Sequence, residues 1–99
     1  DKRHVYIAEI SDIPVGTTRI DTIDRRHAEI SWTVSPDYRG RGLGKILVQK
    51  TMALKPDIIF SAKIKKENTA SLSIARSAGL EQSEEKDGIV VFRGKVEEL

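Results

Sequence analysis

The stretch Val34-Ser35-Pro36-Asp37-Tyr38-Arg39-Gly40-Arg41-Gly42-Leu43-Gly44-Lys45 decides the fold of this chain, because it joins a predicted strand to a predicted helix. Its three glycines permit a sharp turn before the helix. The first amides of a helix lack internal partners and lie at the positive end of the helix dipole, so an anion is stabilised there. We therefore predict that this loop binds phosphate groups; the alternative is a purely structural helix start.

Two familiar glycine loops are excluded by the spacing of the motif. A dinucleotide-binding loop has a glycine three residues after its second glycine, where this chain has Lys45. A nucleoside triphosphate loop has a glycine five positions before Gly44 and a hydroxyl after the lysine, where this chain has Arg39 and Ile46. Two interpretations therefore remain open: a phosphate-binding loop of another type, or a purely structural turn.

Upstream of the loop, the sequence predicts three strands, over residues 5–10, 15–20 and 28–34. The first two are joined by a short turn and are expected to form a hairpin. The third alternates strictly between apolar and polar residues, which is typical of a strand with one buried face. One predicted face carries Ile30, Trp32 and Val34, and the other carries Glu29, Ser31 and Thr33.

Downstream of the loop, we predict a helix, a strand over residues 57–64, a second helix over residues 68–79 and a closing hairpin that turns at Asp87-Gly88. The strand-helix-strand unit is expected to be parallel and the hairpins antiparallel. The prediction is a single α/β (α+β) domain over residues 1–99, with a mixed, mostly antiparallel sheet. Apolar residues at helical spacing in the first helix, predicted to face the core, are Leu43, Ile46, Leu47 and Leu54.

The composition excludes several classes of function. Of the 99 residues, 38% are apolar and 32% charged, which is typical of a globular protein, and no apolar run is long enough for a membrane span. The absence of cysteine excludes disulfides, thiolate zinc sites and cysteine nucleophiles. We expect a cytoplasmic protein without a membrane partner.

Charge is uneven along the chain although the net charge is only +2. Residues 39–66 hold eight Lys or Arg residues against the single acid Asp57, so this segment could attract a polyanion or form a solvated basic face. A nucleic-acid-binding module is the competing interpretation, which the presence of only five aromatic residues disfavours. We expect no nucleic-acid partner.

Arg39, Gly42 and Gly44 form the pattern Arg-x-x-Gly-x-Gly, which resembles the coenzyme A signature of the GNAT N-acetyltransferases. The preceding Val-x-Pro-x-Tyr, residues 62–68 and Ala78-Gly79-Leu80 are also similar to that family, so the resemblance covers nearly the whole chain. It implies a GNAT-like acyl-CoA N-acyltransferase fold and transfer of an acetyl group from acetyl-CoA to a primary amine of a small molecule or protein. No metal is implied.

The resemblance also implies which residues contact acetyl-CoA, since in the family the strands on either side of the first helix splay apart around the pantetheine arm. Asn68 and Ser71 would contact the pantetheine region, although Asn68 can equally be a plain N-cap. Backbone groups of Trp32, Thr33 and Val34 would bind the pantetheine and thioester, and the pyrophosphate would be held by Arg39, Gly40, Arg41, Gly42, Leu43, Gly44 and Lys45.

The candidate general base is Glu29, whose placement resembles that of the glutamate base in histone-acetylating members; the alternative is an exposed strand carboxylate. His27 is a second candidate that we expect to lie at the surface. Many members carry a tyrosine acid seven residues after the asparagine, where this chain has Ala75. A catalytically weak or inactive acetyl-CoA-binding module is therefore the alternative function.

The family domain usually begins with a further strand and two helices, so the chain is interpreted as a short or N-terminally truncated member. We expect an uncovered sheet edge and apolar face, and hence a homodimer or a longer parent chain. The run Lys-Lys-Glu-Asn-x-x-Ser at residues 65–71 is similar to members that modify amino sugars, which suggests a small-molecule amine as substrate.

Overall fold

The computed structural model describes residues 2–96, which form six strands, two α-helices and one short 3-10 turn. Within this part of the chain neither helix is long and apolar enough to cross a membrane. The order of elements agrees with the sequence prediction. The strands are β1 (Arg3–Ile10), β2 (Ile13–Thr22), β3 (His27–Val34), β4 (Ile59–Lys65), β5 (Glu81–Lys86) and β6 (Ile89–Gly94), and the helices are α1 (Leu43–Ala53) and α2 (Thr69–Ser77).

All six strands form one sheet in the order β1-β2-β3-β4-β6-β5. The β3–β4 pair is parallel, and the other four neighbouring pairs are antiparallel. This is the mixed, mostly antiparallel sheet that the sequence predicts. The parallel pair is the one bridged by α1, as expected when a helix carries the chain from one strand to a parallel neighbour.

The parallel strands β3 and β4 stay together for only three residue pairs, from His27 opposite Ile59 to Glu29 opposite Ser61. Beyond Glu29, β3 continues to Val34 and β4 to Lys65 without pairing to each other. On its other side β4 remains paired with β6 as far as Lys65. The two strands therefore diverge toward the end of β3 from which the glycine loop starts.

One face of the sheet and both helices enclose a single hydrophobic core. In β3, Ala28 and Ile30 are buried in this core, so the alternation of the strand places Glu29 on the opposite face, as predicted. The largest fully buried side chains are Phe60, Phe92, Ile20, Ile30, Val15 and Val48.

The predicted core face of α1 was wrong for two residues, because Ile46 is 44% exposed and Leu54 is 58% exposed. The buried positions are Gly44, Val48, Thr51 and Met52, which recur at helical spacing. Gly44 is buried because Ile74 of α2 approaches it closely: a Cβ built on Gly44 would lie 2.8 Å from Cγ1 of Ile74. The inner face of α1 therefore includes a glycine and a threonine beside Val48 and Met52.

Candidate functional site

The glycine loop depends on two residues with left-handed backbone. Gly40 has φ +77° and Gly42 has φ +76°, a region that residues with a Cβ rarely adopt. No atom lies within 4 Å of a Cβ built at either position. These glycines are therefore required by the backbone conformation of the turn, whereas Gly44 is required by the packing of α1 on α2.

The turn ends at the N-terminus of α1, which has no side-chain cap. Gly42 occupies the N-cap position, and the first turn contains no acidic residue. The amides of Leu43, Gly44 and Lys45 have no partner inside the helix, since the first intrahelical bond comes from Ile46. With the helix dipole and the cation of Lys45, this end of α1 is suited to an anion.

Two arginines of the loop have different surroundings. Nε of Arg39 donates to the carbonyl oxygen of Val34 at 3.1 Å, which fastens the loop to the end of β3. The guanidinium carbon of Arg41 lies 5.4 Å from the ring centroid of Tyr38, a cation–π geometry. Arg39 lines the large cavity between the loop and α2, and Arg41 does not.

A cavity of about 630 Å³ opens between the loop and α2. Apart from Arg41, all the residues predicted to bind coenzyme A line this cavity: Trp32, Thr33, Val34, Arg39, Gly40, Gly42, Leu43, Gly44, Lys45, Asn68 and Ser71. The structure brings them together, and their role as ligands stays a prediction. Sequence reasoning missed Tyr38, Ala70, Ser73, Ile74 and Ser77, which also line it; small residues at positions 70, 73 and 77 share one helix face, a signal that was available.

A smaller cavity of about 210 Å³ lies in the gap where β3 and β4 diverge. Its walls come from residues 30–32 of β3 and 62–65 of β4, and it shares Trp32, Asn68 and Ser71 with the larger cavity. The two cavities therefore adjoin, so one extended ligand can occupy the phosphate loop and the gap between the strands.

Asn68 caps α2 and also lines both cavities. Its Oδ1 accepts a hydrogen bond from the backbone N–H of Ser71 at 3.1 Å, which satisfies one of the free amides of the helix. Both interpretations of Asn68 are thus compatible. The indole N–H of Trp32, which lines the same two cavities, is buried and has no hydrogen-bond acceptor within residues 2–96. A buried donor without an acceptor lowers the stability of the ligand-free protein by about 1–3 kcal/mol.

Glu29 lies at the last paired position before the gap, on the sheet face away from the helices. Its side chain is 33% exposed, and Nζ of Lys63 lies 3.6 Å from its Oε2. A carboxylate at this point is accessible to a molecule that approaches the gap from the open face. Its role as a base stays a prediction.

His27 is at the far end of β3 from the loop, with its side chain 42% exposed. Its Nδ1 is 2.9 Å from Oδ1 of Asp24, whose carboxylate also accepts from the backbone N–H groups of Arg26 and His27. These hydrogen bonds lower the pKa of Asp24, and the one from the N–H of Arg26 contributes most. His27 therefore lies at the surface, at the start of β3, where its side chain contacts the preceding turn.

Ala75, at the position that the GNAT resemblance assigns to a tyrosine acid, has 0% exposure and belongs to the hydrophobic core. It does not line either cavity. Within residues 2–96 no group of three His, Cys, Asp or Glu side chains is arranged to hold a metal ion.

The sequence profile described as the acetyltransferase (GNAT) family matches residues 1–80. The chain belongs to the GNAT acetyltransferase family. A search of the curated proteins gives no match for this GNAT domain.

Solved structures show the same fold. The GNAT domain of PAT from S. lividans is 23% identical, with a TM-score of 0.83 over 96% of this chain and 61% of that one. The Campylobacter jejuni N-acetyltransferase PseH, in complex with acetyl coenzyme A, is 15% identical, with a TM-score of 0.82 over 95% of this chain and 68% of that one. The aminoglycoside acetyltransferase AAC(6')-Ib, in complex with coenzyme A, is 18% identical, with a TM-score of 0.81 over 95% of this chain and 66% of that one. This GNAT domain thus spans roughly two thirds of the length of PseH and of AAC(6')-Ib, and less than two thirds of the length of the PAT domain.

Proposed function

We propose that the chain is an acetyl-CoA-dependent N-acetyltransferase domain that transfers the acetyl group to a primary amine. The observation that carries the proposal is the junction of two features: an uncapped helix N-terminus at one end of a cavity, and a gap between diverging parallel strands at the other. Family membership and the presence of acetyl coenzyme A or coenzyme A in structures of the same fold support it.

The residues around the larger cavity fit a coenzyme A pyrophosphate. The amides of Leu43, Gly44 and Lys45 donate to phosphate oxygens, and each such charge-assisted bond contributes about 1.5–3 kcal/mol. Arg39 adds its guanidinium from the cavity wall. Since Gly40 and Gly42 expose backbone without side chains, a phosphate can approach the turn closely.

The unpaired edge of β3 positions the thioester end. Backbone groups from Ile30 to Val34 that face the gap have no partner in β4, so they are available to the amides of a pantetheine arm, as an extended peptide pairs with a sheet edge. Bound acetyl-CoA supplies an activated acyl group. Holding an amine against it replaces a bimolecular encounter and accounts for most of the rate.

Glu29 accepts the proton that the amine loses as it attacks, a contribution of roughly a hundredfold. The carboxylate lies on the open face at the mouth of the gap, where an acceptor can approach. No hydroxyl is available at position 75, so water protonates the departing thiolate in this proposal. The alternative, a domain that binds acetyl-CoA without turnover, is favoured by the burial of Ala75.

A small-molecule amine, and an amino sugar in particular, is the proposed acceptor. The run at residues 65–71 supports it, as does the likeness in fold to an aminoglycoside acetyltransferase. A cytoplasmic location is proposed on the composition alone.

Binding of the coenzyme tests the proposal directly. Trp32 is the only tryptophan of the sequence and lines both cavities, so coenzyme A should change the intrinsic fluorescence and raise the melting temperature. Lys45→Ala should weaken binding, whereas Lys50→Ala, an exposed lysine further along α1 and outside both cavities, should not. Absence of any response at millimolar coenzyme A would remove the proposal.

Turnover is then measured as coenzyme A release with a panel of amines that includes amino sugars. Release that depends on the amine supports the transferase. Normal binding without release for any amine supports the binding module.

A further inference from the structure

Lys63 places a primary amine beside the candidate base. Its Nζ lies 3.6 Å from Oε2 of Glu29, across the gap between β4 and β3. The lysine side chain is 61% exposed and that of Glu29 is 33% exposed, so a third molecule can reach both groups. Such an exposed pair contributes little to stability.

Lys63 also lines the smaller cavity. That cavity adjoins the proposed coenzyme site through Trp32, Asn68 and Ser71. A lysine side chain belongs to the chemical class of acceptor that the proposed reaction uses. The chain therefore carries its own amine at the place where an external amine has to bind.

We infer that the domain acetylates itself on Lys63. The inference rests on the proposed function, because the acetyl donor is the acetyl-CoA assigned to the adjoining cavity. The modification is intramolecular and needs no further partner.

The chemistry balances with groups already named. The protonated amine of Lys63 first loses a proton to solvent, and its neutral Nζ attacks the thioester carbonyl carbon. A C–N bond forms, the C–S bond breaks, and coenzyme A leaves as the thiolate. Glu29 accepts the second proton from nitrogen and passes it through water to the thiolate.

Acetylation has a consequence for Glu29. The amide product carries no charge, so the ion pair between positions 63 and 29 is lost. Glu29 is then free of its cation, and the acetylated side chain occupies part of the gap. The modified domain should differ from the unmodified one in its rate toward external amines.

Lys65 and Lys50 are matched internal controls. Lys65 is two residues further along β4, is exposed on the same face and also lines the smaller cavity, but it forms no ion pair with the described residues, so it controls for the contact with Glu29. Lys50 is exposed on α1, away from both cavities. Spontaneous acetylation by the thioester affects all exposed lysines, so only a rate above that of both controls is attributable to the site.

The test is incubation of the full chain with acetyl-CoA alone, followed by peptide mapping by mass spectrometry. Lys63 should be acetylated at least about tenfold faster than Lys65 and Lys50, as expected for a positioned amine. Excess coenzyme A, unfolding in urea, or Glu29→Gln should each remove the difference. Lys63→Arg, which keeps the positive charge, should abolish the selective modification while the melting temperature stays close to that of the wild type.

A second measurement does not depend on turnover. N-hydroxysuccinimidyl acetate labels exposed lysines directly, and bound coenzyme A should slow the labelling of Lys63 but not of Lys50. Equal rates at the three lysines, or labelling of Lys63 that is unaffected by coenzyme A that demonstrably binds, would overturn the inference and leave the proposed function intact. Failure of coenzyme A to bind at all would overturn both.

Discussion

The hydroxyls of Thr18 in β2 and Thr51 in α1 lie 2.7 Å apart, and both residues are buried. Thr51 donates its single hydroxyl hydrogen to the carbonyl oxygen of Leu47 at 2.7 Å, so Thr18 must be the donor between the two threonines. The pair therefore fastens α1 to the sheet with a defined direction of donation. The two residues are chemically alike but not equivalent.

The asymmetry leads to a testable prediction. Thr51→Val leaves the hydroxyl of Thr18 buried without an acceptor and should lower the free energy of unfolding by about 1–3 kcal/mol. Thr18→Val leaves the hydrogen bond from Thr51 to Leu47 intact and should lower the free energy of unfolding by less than Thr51→Val does. The double variant should be closer to the wild type than Thr51→Val is, because neither hydroxyl remains. Urea denaturation of the four proteins measures this, and equal effects of the two single variants would contradict the assigned direction.

Ala75 gives a second prediction at this scale. Since its side chain has 0% exposure within the core, Ala75→Tyr should overpack the helix against the sheet and cost about 1–3 kcal/mol. We expect a lower melting temperature and no gain in the rate of coenzyme A release. A faster, undestabilised variant would show instead that the phenol reaches the site and that proton donation limits turnover.

At the scale of elements, the turn between β2 and β3 is held by Asp24. Its carboxylate accepts from the N–H of Arg26 at 2.8 Å and the N–H of His27 at 2.9 Å. Because these bonds favour the ionised form, the pKa of Asp24 is lowered from its ordinary value of 3.8. A lowered pKa means that the stabilisation is fully present above the unfolded value and is lost as the pH falls through the folded value.

Asp24→Ala should therefore lower the melting temperature at neutral pH, and the difference from the wild type should disappear as the pH falls through the lowered pKa of Asp24, on the acid side of its ordinary value of 3.8. Thermal unfolding followed by circular dichroism from acid to neutral pH measures both proteins. A difference that stays constant over this range would mean that the side chain acts through packing or turn propensity and not through its charge.

Features that depend on residues close together in the sequence could be predicted. Features that depend on contacts between segments distant in the sequence could not. The alternation of β3 and the glycine turn follow from local chemistry, so the face of Glu29 and the start of α1 were predicted correctly. The inner face of α1 depends on Ile74 lying against Gly44 and on the partner of Thr51, neither of which hydrophobic spacing can show. The small residues at positions 70, 73 and 77 share one face of α2, which the sequence could show, but only the structure shows that this face lines the cavity.

At the scale of the whole molecule, the edge hairpin of β1 and β2 exposes apolar side chains. Val5 is 59% exposed, Ile7 is 65% exposed and Ile13 is 53% exposed. Strand β1 lies at one edge of the sheet, so its outer backbone groups have no neighbouring strand within the described residues. Exposed apolar groups at an open edge favour association.

We therefore predict that the chain self-associates as its concentration rises, and that replacing both Val5 and Ile7 by lysine reduces this association. Both positions are exposed, so the double variant should keep its fold. Light scattering over a concentration series measures the mass, and circular dichroism checks the fold. A wild-type mass that stays that of a monomer throughout would contradict the prediction.

The three residue pairs between β3 and β4 make the sheet a structure of two leaves joined along a short seam. One leaf, β1-β2-β3, is built from strands that follow one another in the sequence, so it can pair at low entropic cost. The other, β4-β6-β5, combines the β5–β6 hairpin with β4, from which it is separated by α2. The seam has fewer paired residues than any other pair of neighbouring strands in the sheet, so we expect it to open before the others. A ligand that touches both leaves acts as a clamp across it, so the occupied protein should unfold more slowly as well as melt at a higher temperature.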